Sequence, residues 1–487
     1  MFRFCYIYVV LWALIIGLSA CQQGILSDDP SLRLSFSHDS LLFDTVFTDM
    51  GSSTRTVMVY NPNKNAVKIN RICMQRGAYF QINLDGENQL DKLQNITLRG
   101  GDSLFLFVRA TIDPQELNTP VLIEDSVAFL VNDNLQHVLL QAYGQNVEIL
   151  RSEERLLQYD NLLLTNEKPY LIYDTLVITG NLSIQPGATL YMHSGSMIYA
   201  YGNVTAKGTM ASPITIRGDR TDRLFDSVPY RVACGQWGGL FFIDTESILP
   251  HKYELDYLDI TSGTVGLFAF SDNSLRRPKM SLSNSRIHNH AQYGLVLENV
   301  DATVANTEIS NCASHCVYLA GGNHRFIHNT IAAFYGFPHT TINIHNNMLA
   351  EDVAAVYINN LSKNSAPTIS SFYNCIVTGA RKNNIVLATP LPDYYEGQFV
   401  GNYMRADSLS TSFATKNVYA SDSDSVVFRN TYYLLDEYRY YDFRLDSLSP
   451  ARGIADSLSA LSYPYDRLGI RRKQNPDAGC YEYSDQE

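Results

Sequence analysis

Asn284-Ser285-Arg286-Ile287-His288-Asn289-His290 is answered 22 residues later by Asn306-Thr307-Glu308-Ile309-Ser310-Asn311-Cys312. The same step carries Ile309 to Ile331, Leu295 to Val317 and Leu297 to Leu319. A period of about 20–25 residues built from short apolar patches, Asn and Gly reads as a β-solenoid, in which each repeat is one coil stacked on the last. Coils stacked about 4.8 Å apart make residues one period apart direct neighbours in a sheet. Ile287, Ile309 and Ile331 then form a dry column, and an Asn repeated at a corner can bond its amide along the stack. The stretch from Asp160 to Leu435 allows roughly nine to eleven coils, an axis of about 45–55 Å.

Upstream, Leu176-Val177-Ile178-Thr179-Gly180-Asn181-Leu182-Ser183-Ile184 leads into Pro186-Gly187, with Gly195, Gly202 and Gly208 at strand ends and Gly235-Gln236-Trp237-Gly238-Gly239-Leu240 beyond. Gly and Pro-Gly mark the corners a coil must turn. These words resemble the opening coils of right-handed parallel β-helix proteins of the pectate-lyase-like superfamily. Asn374-Cys375-Ile376-Val377 and Asn384-Ile385-Val386-Leu387 extend the pattern, with insertions, so that the β-helix is expected over residues 151–435. An open coil end exposes unpaired strand edges and needs covering. Asp442-Phe443-Arg444-Leu445, Asp466-Arg467-Leu468-Gly469 and Pro476-Asp477-Ala478-Gly479-Cys480-Tyr481-Glu482 resemble the closing module common in surface β-helix proteins, with Cys480 where a small residue such as Ala is usual. Residues 436–487 are therefore expected to cap the coil, and a disulfide role for Cys480 is conceivable.

Residues 32–150 have a different texture, of short alternating strands broken by turn residues. Arg55-Thr56-Val57-Met58-Val59-Tyr60 before Asn61-Pro62-Asn63 is one; Ser103 to Ala110, Ser126 to Val131 and His137 to Ala142 are others. Roughly seven strands without a convincing helix read as a β-sandwich of immunoglobulin type. Phe43-Asp44-Thr45-Val46-Phe47, Gly101-Asp102-Ser103-Leu104 and Ala142-Tyr143-Gly144-Gln145 resemble the leading Ig-like module of a family of Gram-negative surface lipoproteins, which implies a spacer or adhesion platform. The expected fold is all-β: an N-terminal Ig-like β-sandwich, a right-handed parallel β-helix and a C-terminal cap.

The chain begins with Arg3, an apolar run from Tyr6 to Ile16, and Leu18-Ser19-Ala20 directly before Cys21. That is the layout of a secretory signal over residues 1–20 with a small-residue cleavage site; it resembles bacterial lipoprotein signals, in which Cys21 becomes the lipid-modified N-terminus. Residues 21–31 then form a tether. No Asp follows Cys21, so the resemblance implies the outer membrane, with the lipid as the membrane attachment. Ser27-Asp28-Asp29 loosely resembles surface-export signals.

The chain carries 37 Lys and Arg against 49 Asp and Glu, a formal charge of −12, and cleavage after Ala20 removes Arg3 and no acid. With no basic cluster larger than Arg471-Arg472-Lys473, phosphate backbones are repelled overall, and nucleic acid is excluded as a partner. Cys73, Cys234, Cys312, Cys316, Cys375 and Cys480 would remain in the mature chain. An envelope permits disulfides, yet the spacing dictates no framework, and buried free thiols within the stack answer equally well.

Chemistry is less legible. Parallel β-helices often cleave acidic polysaccharides with paired carboxylates, or with Ca²⁺ and a basic residue. The words for those activities, Asn-Thr-Asp, Asp-Asp, Gly-His-Gly and Arg-Ile-Lys, are missing from the coils, and fold alone is weak evidence of activity. Asp256, Asp259, Glu298, Glu308, Glu351 and Asp352 are the carboxylates to weigh. Arg286 and Glu308 should face each other across one rung as an exposed ion pair, which is worth little. Asp256 and Asp259 flank one strand and Glu351-Asp352 follows another. Seven of the eleven histidines fall between 288 and 345. His288 and His290 would share a face if their strand is extended, and with Cys312, His315 and Cys316 could approximate zinc ligation; no motif spacing supports it, so no metal or other cofactor is expected. Asp422 and Asp424 read as a solvated turn before a Ca²⁺ site. Asp39-Ser40-Leu41 and Asp407-Ser408-Leu409 resemble O-glycosylation acceptors of some Gram-negative envelopes, and serve as strand entries equally well.

Aromatics on a flat solenoid face are how such surfaces hold sugars. Trp237, Tyr394, Tyr395, Tyr432 and Tyr433 are the candidates, against the alternative that they staple insertions and cap to the coils. The expectation is a lipid-anchored envelope protein without catalytic residues, binding a polysaccharide or an envelope protein. The rivals are a polysaccharide lyase or glycoside hydrolase with carboxylates in the insertions 219–235, 244–255 or 388–424, and an assembly scaffold.

Overall fold

A computed structural model describes residues 25–88, 93–225, 228–245, 249–335, 354–359, 367–388, 396–406, 414–420, 426–431 and 441–485. The chain divides into two compact units, one ending at Asn146 and the other beginning at Val147.

In the first unit the alternating stretches become strands with one face dry: Arg55–Tyr60 buries Val57 and Val59, and Ser103–Ala110 buries Leu106, Val108 and Ala110. Its described strands form one sheet of four and one of five, and Val57, Leu106 and Val108 from the first share a core with Ile69, Phe129 and Leu140 from the second. The described residues thus form a β-sandwich of nine strands rather than about seven. Two of them are longer than the sequence suggested, because Val121–Val131 and Asn134–Gln145 pair in antiparallel register along their whole length. Asn132 and Asp133 join them, both at positive φ (46° and 62°). Two such residues give the turn whose twist matches that of a hairpin. The pairing of Ser40–Phe47 with Asn134–Gln145 is parallel.

The second unit is a parallel β-helix with three sheets. The first sheet has eleven described strands, from Glu148–Leu150 to Val418–Tyr419; the second has nine, from Leu156–Tyr159 to Ile385–Ala388; the third has ten, from Leu162–Leu164 to Ala414–Thr415. Ile287 pairs with Ile309, and Ile309 with Ile331. The column runs on through Ile216 and Ile260 on one side and Val377 and Met404 on the other. These residues are at most 1% exposed. Each such burial stabilises by about 1.5–3 kcal/mol. In the third sheet Phe326, Phe372 and Phe399 stack at 4.7 and 5.0 Å between ring centroids.

The corners are held by side chains. The Asn306 amide donates to Asn284 Oδ1 at 3.2 Å, and both residues have positive φ, as do Tyr257, His328 and Asn374 at equivalent places. Just inside runs a second ladder, in which a backbone N–H donates to a side chain of the next coil: Thr307 to Asn329 Oδ1 (2.9 Å), Asn329 to Cys375 Sγ (3.5 Å), Cys375 to Asn402 Oδ1 (2.7 Å). A buried corner amide that lacked such an acceptor would cost about 1–3 kcal/mol. Cys375 is thus a rung of the corner ladder, and all six cysteines of the described chain are free thiols. At Gly202 the coils approach so closely that a Cβ would lie 2.1 Å from the Gly180 carbonyl oxygen.

The C-terminal segment packs against the side of the coil. Cys480 and Tyr481 cover Ala332, Ile376 and Tyr403, which point outward from the first sheet. Cys480 N–H donates to Thr330 Oγ1, Gly479 N–H to the Asn374 carbonyl, and Arg472 to Asn306 Oδ1. No described helix is long and apolar enough to cross a membrane.

Candidate functional site

Each of the three sheets has an outward face that carries polar or aromatic side chains. On the first sheet, Thr215, Asp259, Arg286, Glu308 and Thr330 occupy one row in successive register, with His288 and Ser310 in the row beside it. Arg286 and Glu308 do face each other across one rung, but the pair is not the exposed one expected. Glu308 is 3% exposed, because the C-terminal segment lies over it. Its carboxylate accepts from Arg286 Nε (3.1 Å), Ser310 Oγ (2.7 Å) and Tyr481 Oη (2.5 Å). Burial favours the neutral acid, yet the Arg286 guanidinium and these hydroxyls hold its pKa down at about 2. Glu308 therefore stays ionised and cannot donate a proton near neutral pH; it fastens the C-terminal segment to the coil.

His288 and His290 do not share a face. Asn289 sits between them at φ 63°, which breaks the alternation of the strand. His288 faces outward and hydrogen-bonds Ser310 Oγ at 2.8 Å. His290 turns into the core beside Ile287, its Nε2 3.2 Å from the Ile260 carbonyl, and burial brings its pKa down to about 4. His315 bonds the backbone of Ala354 through Nδ1. Among the described residues no three His, Cys, Asp or Glu side chains are placed to hold a metal ion. Asp256 and Asp259 belong to different sheets, since Tyr257 turns the corner between them at φ 47°. Glu351, Asp352, Asp407, Asp422 and Asp424 lie outside the described residues, as does Cys21.

The second sheet carries an aromatic row. Tyr199, Phe241 and Phe268 occupy consecutive rungs, Val296 follows, and Tyr318 and Tyr357 continue it. Tyr199 stacks on Phe241 at 4.8 Å and Tyr318 on Tyr357 at 5.6 Å and 4°. Tyr293 and Phe270 flank the row. All these rings are partly exposed. The row spans seven rungs if Val177 is counted, about 30 Å at the strand spacing. None of these rings was singled out from the sequence, although a signal existed: Val296 and Tyr318 lie one period apart, outward of Leu295 and Leu297.

Trp237 requires a correction. It is 1% exposed, part of the solenoid core, and its indole N–H donates to the Thr261 carbonyl at 2.9 Å. It fills the corner against Gly263, where a Cβ would already lie 3.0 Å from its ring, and no sugar can reach it. Tyr394, Tyr395, Tyr432 and Tyr433 lie outside the described residues.

One carboxylate belongs to the aromatic face. Glu298 points outward between Phe270 and Ala320 in its row, and burial raises its pKa. Neither neighbour in that row is a second carboxylate.

No protein-family model and no curated protein matches the chain. Among solved structures, a protein of unknown function from Porphyromonas gingivalis W83 is similar at 12% identity over 26% of this chain and 50% of its own, with a TM-score of 0.18. Dex49A from Penicillium minioluteum is similar at 8% identity over 76% of this chain and 74% of its own, with a TM-score of 0.19. The ASH/PapD-like domain of human CEP192 matches at 12% identity over 26% of this chain and 92% of its own, with a TM-score of 0.18. The chain thus spans half of the Porphyromonas protein, and similarity this low carries no functional argument.

Proposed function

We propose that this chain is a lipid-anchored protein of the outer membrane whose β-helix binds a glycan without cleaving it. The observation that carries the binding reading is the partly exposed row Tyr199, Phe241, Phe268, Tyr318 and Tyr357. Rings held by their strands on a rigid sheet give large, flat contact area at low entropic cost, which suits sugar faces. Anchoring follows from Leu18-Ser19-Ala20 before Cys21. The Ig-like character of the sandwich, and its use as a spacer between lipid and β-helix, belong to the same proposal.

Calorimetric titration of the chain from Ile25 against neutral and acidic oligosaccharides tests it. Binding of at least one, reduced about tenfold in the Phe241→Ala, Tyr318→Ala double variant, is the expected result. Binding that survives the double change, or no binding to any glycan alongside capture of an envelope protein by crosslinking on cells, overturns it. Cys21→Ser should abolish metabolic labelling with palmitate and release the chain from membranes. A second reading, glycoside hydrolysis, has one observation in its favour: Glu298, whose pKa burial raises, stands on the aromatic face, within reach of a sugar bound there as a proton donor needs to be. Release of reducing ends that disappears in Glu298→Gln would establish it.

A further inference from the structure

The nine described strands of the second sheet contain no Lys, Arg or His. Both other sheets carry cations: Arg217 and Arg286 stand on strands of the first, and Lys207, Lys252, Lys279 and Arg325 on strands of the third. The second sheet holds two acids, which differ in exposure. Asp244 is 3% exposed and accepts from the His251 backbone N–H at 3.3 Å, whereas Glu298 is partly exposed on the aromatic face. In the turns that flank these strands, His193 bonds Asp219 (2.6 Å) and Arg277 bonds Asp301 of the third sheet (2.7 Å). Arg276, Arg381 and Lys382 also lie in turns, off the row. His315 borders the row, its ring 4.7 Å from that of Tyr357, but it is buried. The rungs from Tyr199 to Tyr357 thus offer a ligand aromatic faces, phenol oxygens and one carboxylate, with no cation on their strands to meet an anion.

The rings also set a direction. Tyr199 and Phe241 lie 4.8 Å apart, Phe241 and Phe268 5.9 Å, and Tyr318 and Tyr357 5.6 Å, from one rung to the next. A hexopyranose chain advances by roughly 5 Å per sugar, close to the spacing of the strands, so successive sugars can lie over successive rungs. Between the two groups of rings stands Val296, 3% exposed, and Glu298 faces outward from the same strand, Tyr293–Glu298. A sugar over Val296 has ring platforms on both sides and a hydrogen-bond acceptor at its edge. Its C–H groups suit the rings and its hydroxyls suit Glu298. An acyl chain would bury that carboxylate without a partner, and a uronic acid chain would set like charges together.

We infer that the aromatic row receives an uncharged glycan, extended along the coil axis with about one sugar per rung. The inference rests on the glycan-binding reading above and narrows it to neutral chains.

Titration of the full chain with neutral hexasaccharides of the gluco, manno, galacto, xylo and N-acetylglucosamine series, and with their uronic acid counterparts, tests it. At least one neutral hexasaccharide should bind at least about tenfold more tightly than any uronic acid chain, with an affinity that an about tenfold rise in salt leaves within about twofold. The trisaccharide of the same sugar, which covers about half as many rungs, should bind at least about tenfold more weakly. Phe241→Leu and Tyr318→Leu, on opposite sides of Val296, keep the face apolar and should each weaken the hexasaccharide by about threefold. Uronic acid chains that bind as tightly as neutral ones, and lose that binding in the Phe241→Ala, Tyr318→Ala double variant, would overturn the inference and leave the glycan reading standing. Equal affinity for trisaccharide and hexasaccharide would overturn the axial course. No binding to either set, or self-association in sedimentation that the double variant abolishes, would overturn the inference and the glycan reading together.

Discussion

Tyr481 and Glu308 are 173 positions apart and 2.5 Å from one another. Around that contact the carboxylate has exchanged water for a guanidinium and two hydroxyls, so removing its charge leaves Arg286 without its partner. Glu308→Gln should cost about 3 kcal/mol in urea denaturation, at the low end for a buried pair because Arg286 keeps some access to water. A loss below about 1 kcal/mol would mean that the contact is not a fastening. Acid should act in two windows. His288, His290, His324 and His328 all have pKa values lowered by burial, to about 4 for His290 and about 3 for His324. Below about pH 6.5 the unfolded chain binds protons that these native histidines refuse, and each removes up to about 1.4 kcal/mol per pH unit. The stability supplied by Glu308 is complete above its unfolded pKa of about 4.3 and disappears as pH falls toward 2. The melting temperature should therefore drop between pH 7 and 5, and less steeply in His290→Leu; a flat profile contradicts the burial of these rings. Trp237→Ala should cost about 3–5 kcal/mol, as a large core side chain does, and leave glycan affinity unchanged in the folded fraction.

Strands and corners obey different rules, and the difference decides which assignments could be made from sequence. A strand alternates its faces, so a column such as Ile287, Ile309 and Ile331 is visible once the 22-residue step is known. At a corner one residue at positive φ resets the alternation. Asn289 does so, which is why His290, placed beside His288 by counting, lies in the core. The inner corner ladder makes a prediction of its own. Asn329 accepts from the Thr307 amide and donates to the Val304 carbonyl, both buried. Asn329→Ala should cost about 2–4 kcal/mol for the two groups left unpaired and speed amide exchange at Thr307. Asn166→Ala removes an exposed bond to the Pro186 carbonyl and should cost well under 1 kcal/mol. Equal losses at the two sites would refute the ladder as a source of stability.

Among the described residues each unit has hydrophobic cores of its own: one around Val57, Ile69 and Phe129 in the first unit, and in the second the Ile and Leu columns of the coils together with a smaller cluster around Phe428, Phe443 and Cys480 under the C-terminal segment. Units with their own cores unfold separately when nothing large is shared. Calorimetry should resolve two transitions, and residues 25–146 expressed alone should keep the one belonging to the sandwich; a single transition lost in that fragment would show the units to be interdependent. The sequence by itself determined the repeat, the inward columns, the stacked corner asparagines and the change of texture between sandwich and coils. Those features are written in neighbouring residues and in a fixed step, and the pleat of a strand reads them out directly. Tertiary structure alone decided what happens to the outward faces. The C-terminal segment buries Glu308 on the first sheet, and the aromatic row of the second sheet keeps its partial exposure. Which polar or aromatic side chain still meets water depends on where a segment far along the chain comes to rest, and no local period carries that information.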